Sequence, residues 1–309
     1  MTDLERARNG VDLAFLHISP QVESALRKGG AVVALESTVI AQGLPRTLNL
    51  EIAHRLEKIV TTAGATPATI ALLDGRPQVG LNDEQLRFIA ESKDVLKIST
   101  RDLPIAFAKR SHGATTVAST LWIAYRAGIR VMATGGIGGV HRGELPDISA
   151  DLPELARTPL VVVCSGAKII LDLPATREWL ETHGITVVGF QCDEFPAFYS
   201  RNSGLAVDAR IDRPAEVAEI FRAQHSLGIE KALLVTVPVP SEAEVSAELM
   251  QQVLDKVLEE ALRLQIRGRE LTPFLLSKMA ATSEGATLRA NIALLERNAQ
   301  IAAEIANCL

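Results

Sequence analysis

The sequence has few cysteines, no excess of positive charge and no long apolar run, and each shortage excludes a class of protein. Its 309 residues include three cysteines, which are far apart (Cys164, Cys192 and Cys308). An odd number at such spacing fits neither a secreted disulfide framework nor a Cys-x-x-Cys metal site. No run approaches the roughly 18 apolar residues of a transmembrane helix, and residues 1–5 lack the basic start of a secretory signal. We therefore expect a cytoplasmic protein without a membrane partner.

Charge and motif content exclude further classes. The 32 Lys and Arg residues stand against 37 Asp and Glu, for a net charge of -5. Because a nucleic acid polymer is bound by a concentrated basic face, we expect no such partner. A small phosphorylated ligand stays open, since one phosphate group needs only a few local donors. No His-x-x-x-His pair and no Gly-x-Ser-x-Gly occurs, which excludes a zincin site and an α/β-hydrolase elbow.

Short apolar runs alternate with amphipathic helical patterns along the chain. The runs predict buried parallel strands over residues 31–35, 69–73, 130–134, 160–164, 185–190 and 232–237. Apolar residues at three- and four-residue spacing predict helices over residues 48–61, 114–127, 168–181 and 214–225. The capping-box pair Ser241 and Glu244 predicts another helix, with Val253, Val257, Ala261 and Leu264 on one side and an end near Gly268, and residues 288–305 predict a last one.

This alternation predicts an α/β fold, most simply a three-layer α/β/α arrangement around a mostly parallel sheet. A TIM barrel is the alternative topology, because eight βα units can nearly be counted at these spacings. No repeat, polar linker or block of like charge marks a boundary. We expect residues 1–309 to form a single domain, in which 1–20 are an N-terminal extension and 240–309 a C-terminal helical layer.

Ligands of open parallel sheets collect at the carboxyl ends of the strands, so the residues that follow each run are candidates for a site. Glu36 directly follows the first run. A helix cap or a solvated side chain is the ordinary explanation of such a residue. Glu36 therefore needs support from the other strand ends.

A glycine-rich loop follows the third run. Four glycines among residues 135–139 let the backbone approach a ligand closely and aim N–H groups at an anion, and His141 and Arg142 add donors. The loop is neither a dinucleotide fingerprint nor a Walker loop. Asp147 and Asp151, which come next, can supply hard oxygen ligands to Mg²⁺ or Mn²⁺, although loop aspartates are often helix caps.

The fourth run continues through Ser165-Gly166-Ala167 to Lys168, at the start of a predicted helix. A lysine is unfavourable there, because its charge opposes the positive end of the helix macrodipole. The same dipole would favour the neutral amine, which is the form that attacks a carbonyl carbon. A surface lysine is the ordinary alternative. The Ser165-x-x-Lys168 match to penicillin-binding enzymes is a coincidence, since the other motifs of that group are missing.

Together these segments resemble the pseudouridine-5'-phosphate glycosidase family, also called the indigoidine synthase A-like family. The resemblance extends from Ala31 to Ile305 and depends on the order of short motifs more than on any one of them. The motifs lie at residues 34–38, 97–103, 115–118, 134–151, 165–168, 195–199, 272–276 and 291–294.

The resemblance implies an activity and an assembly. The activity is reversible cleavage of the C–C glycosidic bond of pseudouridine 5'-phosphate to uracil and D-ribose 5-phosphate, with one Mn²⁺ per subunit in a homotrimer. It implies that Lys168 is the covalent nucleophile, Glu36 the proton donor and Asp147 the metal ligand. The substrate-binding residues are then Lys97, Val117, His141, Ser149, Ala150, Asp151 and Asn291.

One segment departs from the family pattern. Where the family usually reads His-Gly-Met-Pro, this chain has Gln42-Gly43-Leu44-Pro45 followed by Arg46. We expect the departure to affect sugar or base contacts at that edge of the site.

A C-glycoside offers no nitrogen or oxygen leaving group, so the two carboxylates of ordinary glycosidases would not suffice. Our hypothesis is that Glu36 assists opening of the ribose ring while Lys168 captures C1' as an imine, which accepts electrons as uracil departs. The metal held by Asp147 would orient the phosphosugar, and Lys97 would offset phosphate charge. A class I aldolase-like Schiff-base enzyme and a non-catalytic phosphosugar-binding protein are the alternatives.

Overall fold

The fold is seen in a computed structural model that describes residues 15–142, 147–266 and 271–309. In chain order the strands are β1 (His17–Ile18), β2 (Val32–Glu36), β3 (Thr66–Leu73), β4 (Arg76–Val79), β5 (Leu96–Ile98), β6 (Gly113–Thr115), β7 (Val131–Ala133), β8 (Val140–His141), β9 (Val161–Cys164), β10 (Leu171–Asp172), β11 (Thr186–Phe190), β12 (Ala209–Ile211) and β13 (Leu233–Thr236). The α-helices are α1 (Pro20–Arg27), α2 (Asn49–Thr62), α3 (Asp83–Glu91), α4 (Leu103–Ala108), α5 (Val117–Ala127), α6 (Asp151–Leu155), α7 (Leu173–Thr182), α8 (Pro214–Ser226), α9 (Ala247–Arg263), α10 (Leu271–Thr282) and α11 (Ala286–Ala306).

The main sheet is open and mostly parallel. Its strand order is β1-β4-β3-β2-β7-β9-β13-β11-β12, with β6 and β5 continuing from β3 as a side branch. Every neighbouring pair from β3 to β12 is parallel, whereas β4 and β6 run antiparallel to β3. Within the described part of the chain the two ends of this order do not pair, so the strands form no closed barrel. The alternative TIM-barrel topology is therefore wrong.

Helices cover the sheet in layers. α11 packs on β2, β7 and β9 and also contacts α2, while α5 packs on β2 and β3 and also contacts α6. The central strands are buried from end to end; all four residues of β9, for example, are fully buried. A strand covered on both faces reads as a continuous apolar run. This confirms the predicted α/β fold with a mostly parallel sheet flanked by helices.

All six predicted strands are present, with ends displaced by no more than three residues. The predicted helix 114–127 is partly wrong, because its first residues form β6. That segment pairs with β3 and β5 before Thr116 caps α5. Tertiary pairing outweighs a local helical pattern here.

The predicted helix start at Ser241 is also wrong. Ser241 begins a single 3₁₀ turn that ends at Ala243, and α9 begins at Ala247 because Ser246 accepts a hydrogen bond from the Leu249 N–H (3.3 Å). The predicted face of α9 is confirmed at Val253, Val257 and Ala261, which are buried, but Leu264 is exposed and lies past the helix end. Gly268 lies outside the described residues.

Candidate active site

A cavity of about 350 Å³ opens at the carboxyl ends of β2, β7 and β9. Its wall contains every residue that the resemblance assigned to the site: Glu36, Lys97, Val117, His141, Asp147, Ser149, Ala150, Asp151, Lys168 and Asn291. These residues come from segments far apart in the chain, and the parallel sheet brings them together because its strands end at one edge. Arg142, the other donor expected beside the glycine loop, does not line the cavity, and its Nε donates to the Leu171 carbonyl (3.1 Å).

Glu36 is the last residue of β2 and is 6% exposed. The Thr134 hydroxyl donates a hydrogen bond to Glu36 Oε1 (3.0 Å), and the Thr38 hydroxyl donates to Oε2 (3.3 Å). Burial raises the pKa of the Glu36 carboxyl above its ordinary value, and the positive charge of Lys168 opposes that rise. A carboxyl group with a raised pKa keeps its proton at higher pH, which suits a proton donor.

Asp151 links the glycine loop to a helix end. Its Oδ2 accepts the Gly138 N–H (2.8 Å), and its Oδ1 accepts the Ala118 N–H (2.9 Å) in the first turn of α5. Asp151 is 6% exposed and is itself the first residue of α6. The expectation that the glycine loop aims its N–H groups at a ligand is thus wrong for Gly138, whose N–H is taken by a carboxylate of the protein.

The glycines of the loop are needed for close packing. A Cβ at Gly138 would lie 2.1 Å from Ser149 Oγ, and one at Gly136 would lie 2.7 Å from the ring of Phe198. A Cβ at Gly139 would lie 2.4 Å from Thr176 Oγ1. Since such distances lie far inside van der Waals contact, only a residue without a side chain fits at these positions. The loop is built so that Ser149 and Asp151 can reach its backbone.

Lys168 is half-buried in the cavity wall, but it is not at a helix start. α7 begins five residues later, at Leu173, where the Asp172 side chain caps it by accepting the Ala175 N–H (3.0 Å). The macrodipole argument for Lys168 is therefore wrong. The Lys168 N–H donates to the carbonyl of Ile137 (3.1 Å), so the lysine is held beside the glycine loop.

His141 and Asp147 also line the cavity, and a backbone hydrogen bond joins them. The His141 N–H donates to the Asp147 carbonyl (2.8 Å). Burial lowers the pKa of the His141 imidazole, an effect that the nearby Asp147 carboxylate opposes. His141 is therefore held towards its neutral form.

Among the described residues, no three His, Cys, Asp or Glu side chains form a group that could hold a metal ion by themselves. Asp147 lies in the cavity wall and is exposed. One hard carboxylate at an open wall fits a divalent ion that takes its other oxygen ligands from water and from a bound phosphate, as Mg²⁺-type ions do. It does not fit a closed structural metal site.

Lys97, Val117 and Asn291 reach the cavity from three different elements, β5, the first turn of α5 and the middle of α11. The positive charge of Lys97 acts on both Glu36 and His141, lowering the pKa of each. Lys97 is therefore a cation in the wall of the cavity, where it can face an anionic substrate.

Several residues of the wall were not assigned a role from the sequence: Thr38, Val39, Ser99, Arg101, Asp102, Thr116, Ile148, Ile170, Leu171, Phe198 and Leu276. Phe198 is 2% exposed, has a positive φ of 64°, and rests on Gly136. Positive φ at a bulky residue is a strained conformation that persists where the surroundings enforce it. The motif at residues 195–199, one of those that carry the resemblance, was the available signal for Phe198.

Only the first two residues of segment 42–46, which departs from the family pattern, line the cavity. Gln42 and Gly43 line it, whereas Leu44, Pro45 and Arg46 do not. Gln42 Nε2 donates to the carbonyl of Val95 (3.3 Å), while its Oε1 is buried without a hydrogen-bond partner. The expected effect on ligand contacts is thus confined to the start of this segment.

The cysteines take no part in the site. All three are free thiols. Cys164 is buried, and burial raises the pKa of its thiol to about 12. Cys192 is half-buried, and desolvation raises the pKa of its thiol to about 11.

A family-wide sequence profile described as indigoidine synthase A like protein matches residues 21–308. This chain belongs to the indigoidine synthase A-like family. The family predicted from the short motifs is therefore confirmed.

Relatives in the family carry a functional name. The chain is 49% identical over 294 residues to the pseudouridine-5'-phosphate glycosidase of Caldanaerobacter subterraneus subsp. tengcongensis, covering 94% of this chain and 96% of that protein. It is 48% identical to the proteins of the same name from Alkaliphilus metalliredigens, with 96% and 97% covered, and Deinococcus radiodurans, with 95% and 94% covered.

Solved structures of the family share the whole fold. The chain superposes on an indigoidine synthase A-like protein from Thermotoga maritima with a TM-score of 0.88 at 39% identity, covering 97% of this chain and 98% of that one. It superposes on a prealnumycin C-glycosynthase in complex with ribulose 5-phosphate with a TM-score of 0.87 at 37% identity, covering 95% and 96%. Among the described residues, no helix has both the length and the apolar character needed to cross a bilayer.

Proposed function

We propose that this protein cleaves the C–C glycosidic bond of pseudouridine 5'-phosphate, with addition of water, to give uracil and D-ribose 5-phosphate, and that it also catalyses the reverse reaction. Close relatives with this name support the substrate, as they match nearly the full chain. The observation that carries the proposal is structural. A buried acid, Glu36, and an amine, Lys168, line one cavity and act on each other electrostatically.

The two side chains have complementary tasks. Glu36 donates a proton to the ring oxygen of the ribose as the ring opens, because its raised pKa keeps that proton available. The Lys168 amine bonds to C1', and the C1'–C bond to the base then breaks. The electron pair of that bond stays on the uracil carbon, which takes the proton that the amine nitrogen loses after it bonds to C1'. The imine left between C1' and Lys168 is hydrolysed by water to ribose 5-phosphate.

The remaining groups bind and orient the substrate. Lys97, His141, Asn291 and residues 149–151 line the same cavity as the reacting pair. Their proposed role is to contact the phosphosugar and the base. Positioning of this kind supplies a large part of the rate enhancement in reactions that need aligned groups. A phosphosugar ligand agrees with the ribulose 5-phosphate complex of the C-glycosynthase, whose chain has the same fold.

Mn²⁺ completes the proposed site, one ion per subunit, with Asp147 as its protein ligand. When bound, the ion would neutralise phosphate charge and hold water beside the sugar. Isothermal titration calorimetry, with Mn²⁺ added to the chelator-treated protein, measures the affinity for the ion directly. We expect Asp147→Asn to weaken Mn²⁺ binding at least about tenfold; unchanged binding would remove the assignment. EDTA should inactivate the wild type, and Mn²⁺ should restore activity.

We also propose that the subunits assemble as a homotrimer in the cytoplasm. Four large apolar side chains between residues 88 and 107 are exposed, at Phe88, Leu96, Ile105 and Phe107. Exposed apolar groups of this size are often covered by a partner subunit. The three free thiols agree with a reducing compartment.

Incubation with pseudouridine 5'-phosphate, with free uracil measured by chromatography, tests the proposed function. Uracil should appear together with an equal amount of ribose 5-phosphate. A class I aldolase-like enzyme would instead exchange aldehydes without releasing uracil, and a phosphosugar-binding protein would yield no adduct after borohydride treatment. Either of these results in place of uracil release would contradict the proposal.

A further inference from the structure

A buried asparagine ties together the two loops that carry the candidate catalytic groups. Asn298 lies on α11, which packs over β7 and β9, and its side chain is fully buried. Its Nδ2 donates to the Thr134 carbonyl (2.8 Å) and lies 3.4 Å from the Gly135 carbonyl. The Ser165 hydroxyl lies 3.1 Å from Nδ2 and 3.3 Å from Oδ1. Asn298 is not among the residues that line the cavity, so it acts from behind the site.

We call Asn298 and its hydrogen bonds to Thr134 and Ser165 the clamp. Each end of the clamp leads to one candidate catalytic group. Thr134 follows β7, and its hydroxyl donates to Glu36. Ser165 follows β9 and lies three residues before Lys168. A ladder of three backbone hydrogen bonds then joins the two loops as far as the lysine: Ser165 N–H to the Gly135 carbonyl (2.9 Å), Ile137 N–H to the Gly166 carbonyl (3.0 Å) and Lys168 N–H to the Ile137 carbonyl (3.1 Å).

Resting on the function proposed above, we propose that Asn298 is a positioning residue that sets the distance between Glu36 and Lys168. A primary amide is suited to this task, because it donates to backbone carbonyls and accepts from a hydroxyl at once. An apolar residue of similar size would fill the space but would leave the Thr134 carbonyl without its donor. A displacement of about 1 Å between reacting groups costs up to about a hundredfold in rate.

Thr236 offers a matched control. It is fully buried, and its hydroxyl donates to the Val188 carbonyl (3.1 Å), which joins β13 to its neighbour β11. Neither of these strands carries Glu36 or Lys168. Loss of either side-chain hydrogen bond should lower stability, but only loss of the Asn298 bonds should change the spacing of the two catalytic groups.

The experiment compares Asn298→Leu with Thr236→Val. The measurements are kcat and KM for uracil release, the rate at which borohydride traps substrate on Lys168, and Tm. We expect Asn298→Leu to lower both kcat and the trapping rate about tenfold to a hundredfold, with KM within about threefold of the wild type. Thr236→Val should lower Tm and leave kcat unchanged. An Asn298→Leu variant with the kcat and trapping rate of Thr236→Val would overturn the proposal.

If Asn298→Leu does not fold, Ser165→Ala decides the question, since it removes only one hydroxyl from the clamp. We expect kcat to fall about three- to tenfold, the effect of one lost hydrogen bond. An unchanged kcat in Ser165→Ala would overturn the proposal. A wild-type protein that releases no uracil would overturn the proposed function itself, and the positioning role with it. Uracil release by the wild type with unimpaired Asn298→Leu would overturn the positioning role alone.

Discussion

The chemistry proposed for the site depends on one amine and one acid that share a cavity. Glu36 is buried at a strand end, and Lys168 is half-buried beside the glycine loop. Neither residue lies in a helix: Glu36 is the last residue of β2, and α7 begins only after Lys168. Their properties therefore come from the tertiary surroundings, and single substitutions can separate their roles.

Lys168→Ala should abolish uracil release and the borohydride-trapped adduct, because it removes the nucleophile. The fold should be retained, since the lysine backbone bond to Ile137 does not depend on the side chain. Circular dichroism would report the fold, and mass spectrometry the adduct. An adduct that persists in Lys168→Ala would show that another residue is the nucleophile.

Glu36→Gln should lower kcat by about a hundredfold or more, the usual contribution of a general acid. It should also change the pH dependence of stability. Because the folded-state pKa of Glu36 is raised, its contribution to stability is fully present at low pH and is lost as pH rises through that raised pKa. Glutamine does not titrate, so Tm of the wild type should fall relative to that of the variant as pH rises.

Tm of both proteins measured from pH 4 to pH 8 tests this expectation. The difference should grow with pH, and Glu23→Gln is the control, as Glu23 is an exposed residue of α1. A difference that shrinks as pH rises would contradict the raised pKa.

At the scale of elements, the glycine loop and α5 act as one unit, because the Asp151 carboxylate accepts N–H groups from both. The same loop is joined to the segment that carries Lys168 by backbone hydrogen bonds. Phe198, which donates its N–H to the Ser165 carbonyl (3.1 Å), closes the arrangement from a third side. Several loops thus hold one another in place, as a preorganised site requires.

Gly138→Ala tests this unit. The new Cβ would lie 2.1 Å from Ser149 Oγ and 2.8 Å from Asp151 Oδ2, so Ser149 and the carboxylate must move. We expect kcat/KM for uracil release to fall at least about tenfold, because displaced loops carry the substrate contacts. Gly30→Ala is the control, since the shortest contact of its Cβ would be 3.3 Å, to the carbonyl of Ala25. Equal activity of the two variants would show that the loop tolerates displacement.

At the scale of the whole molecule, the edge of the sheet that carries β5 has exposed apolar side chains that a partner subunit could cover. Leu96 is 51% exposed on that strand, and Ile105 on the neighbouring α4 is 56% exposed. We expect light scattering coupled to size exclusion to give three times the chain mass. Leu96→Lys combined with Ile105→Lys should lower the mass to that of one chain, because burial of the new charges is unfavourable. A monomeric wild type would refute the trimer.

Strand positions and the residues at strand ends could be predicted from the sequence, because they depend on local patterns. Buried parallel strands are continuous apolar runs, and the residue after such a run lies at the ligand-binding edge. The sequence alone therefore predicts that Glu36, the glycine loop and Lys168 lie in one region. The helix starts at Leu173 and Ala247 were missed. Several nearby residues could cap each helix, and tertiary packing decides which of them does.

The amino-acid sequence by itself thus determined the α/β class, the family and the ten residues that meet in the cavity. Tertiary structure alone decided the open strand order, the burial that raises the Glu36 pKa, and the partners of the key side chains. Thr134 is 98 positions from Glu36, and Asn298 is 164 positions from Thr134. Hydrogen bonds over such separations, and the desolvation of a carboxyl group, depend on which surfaces are packed together, and no local pattern in the chain encodes that.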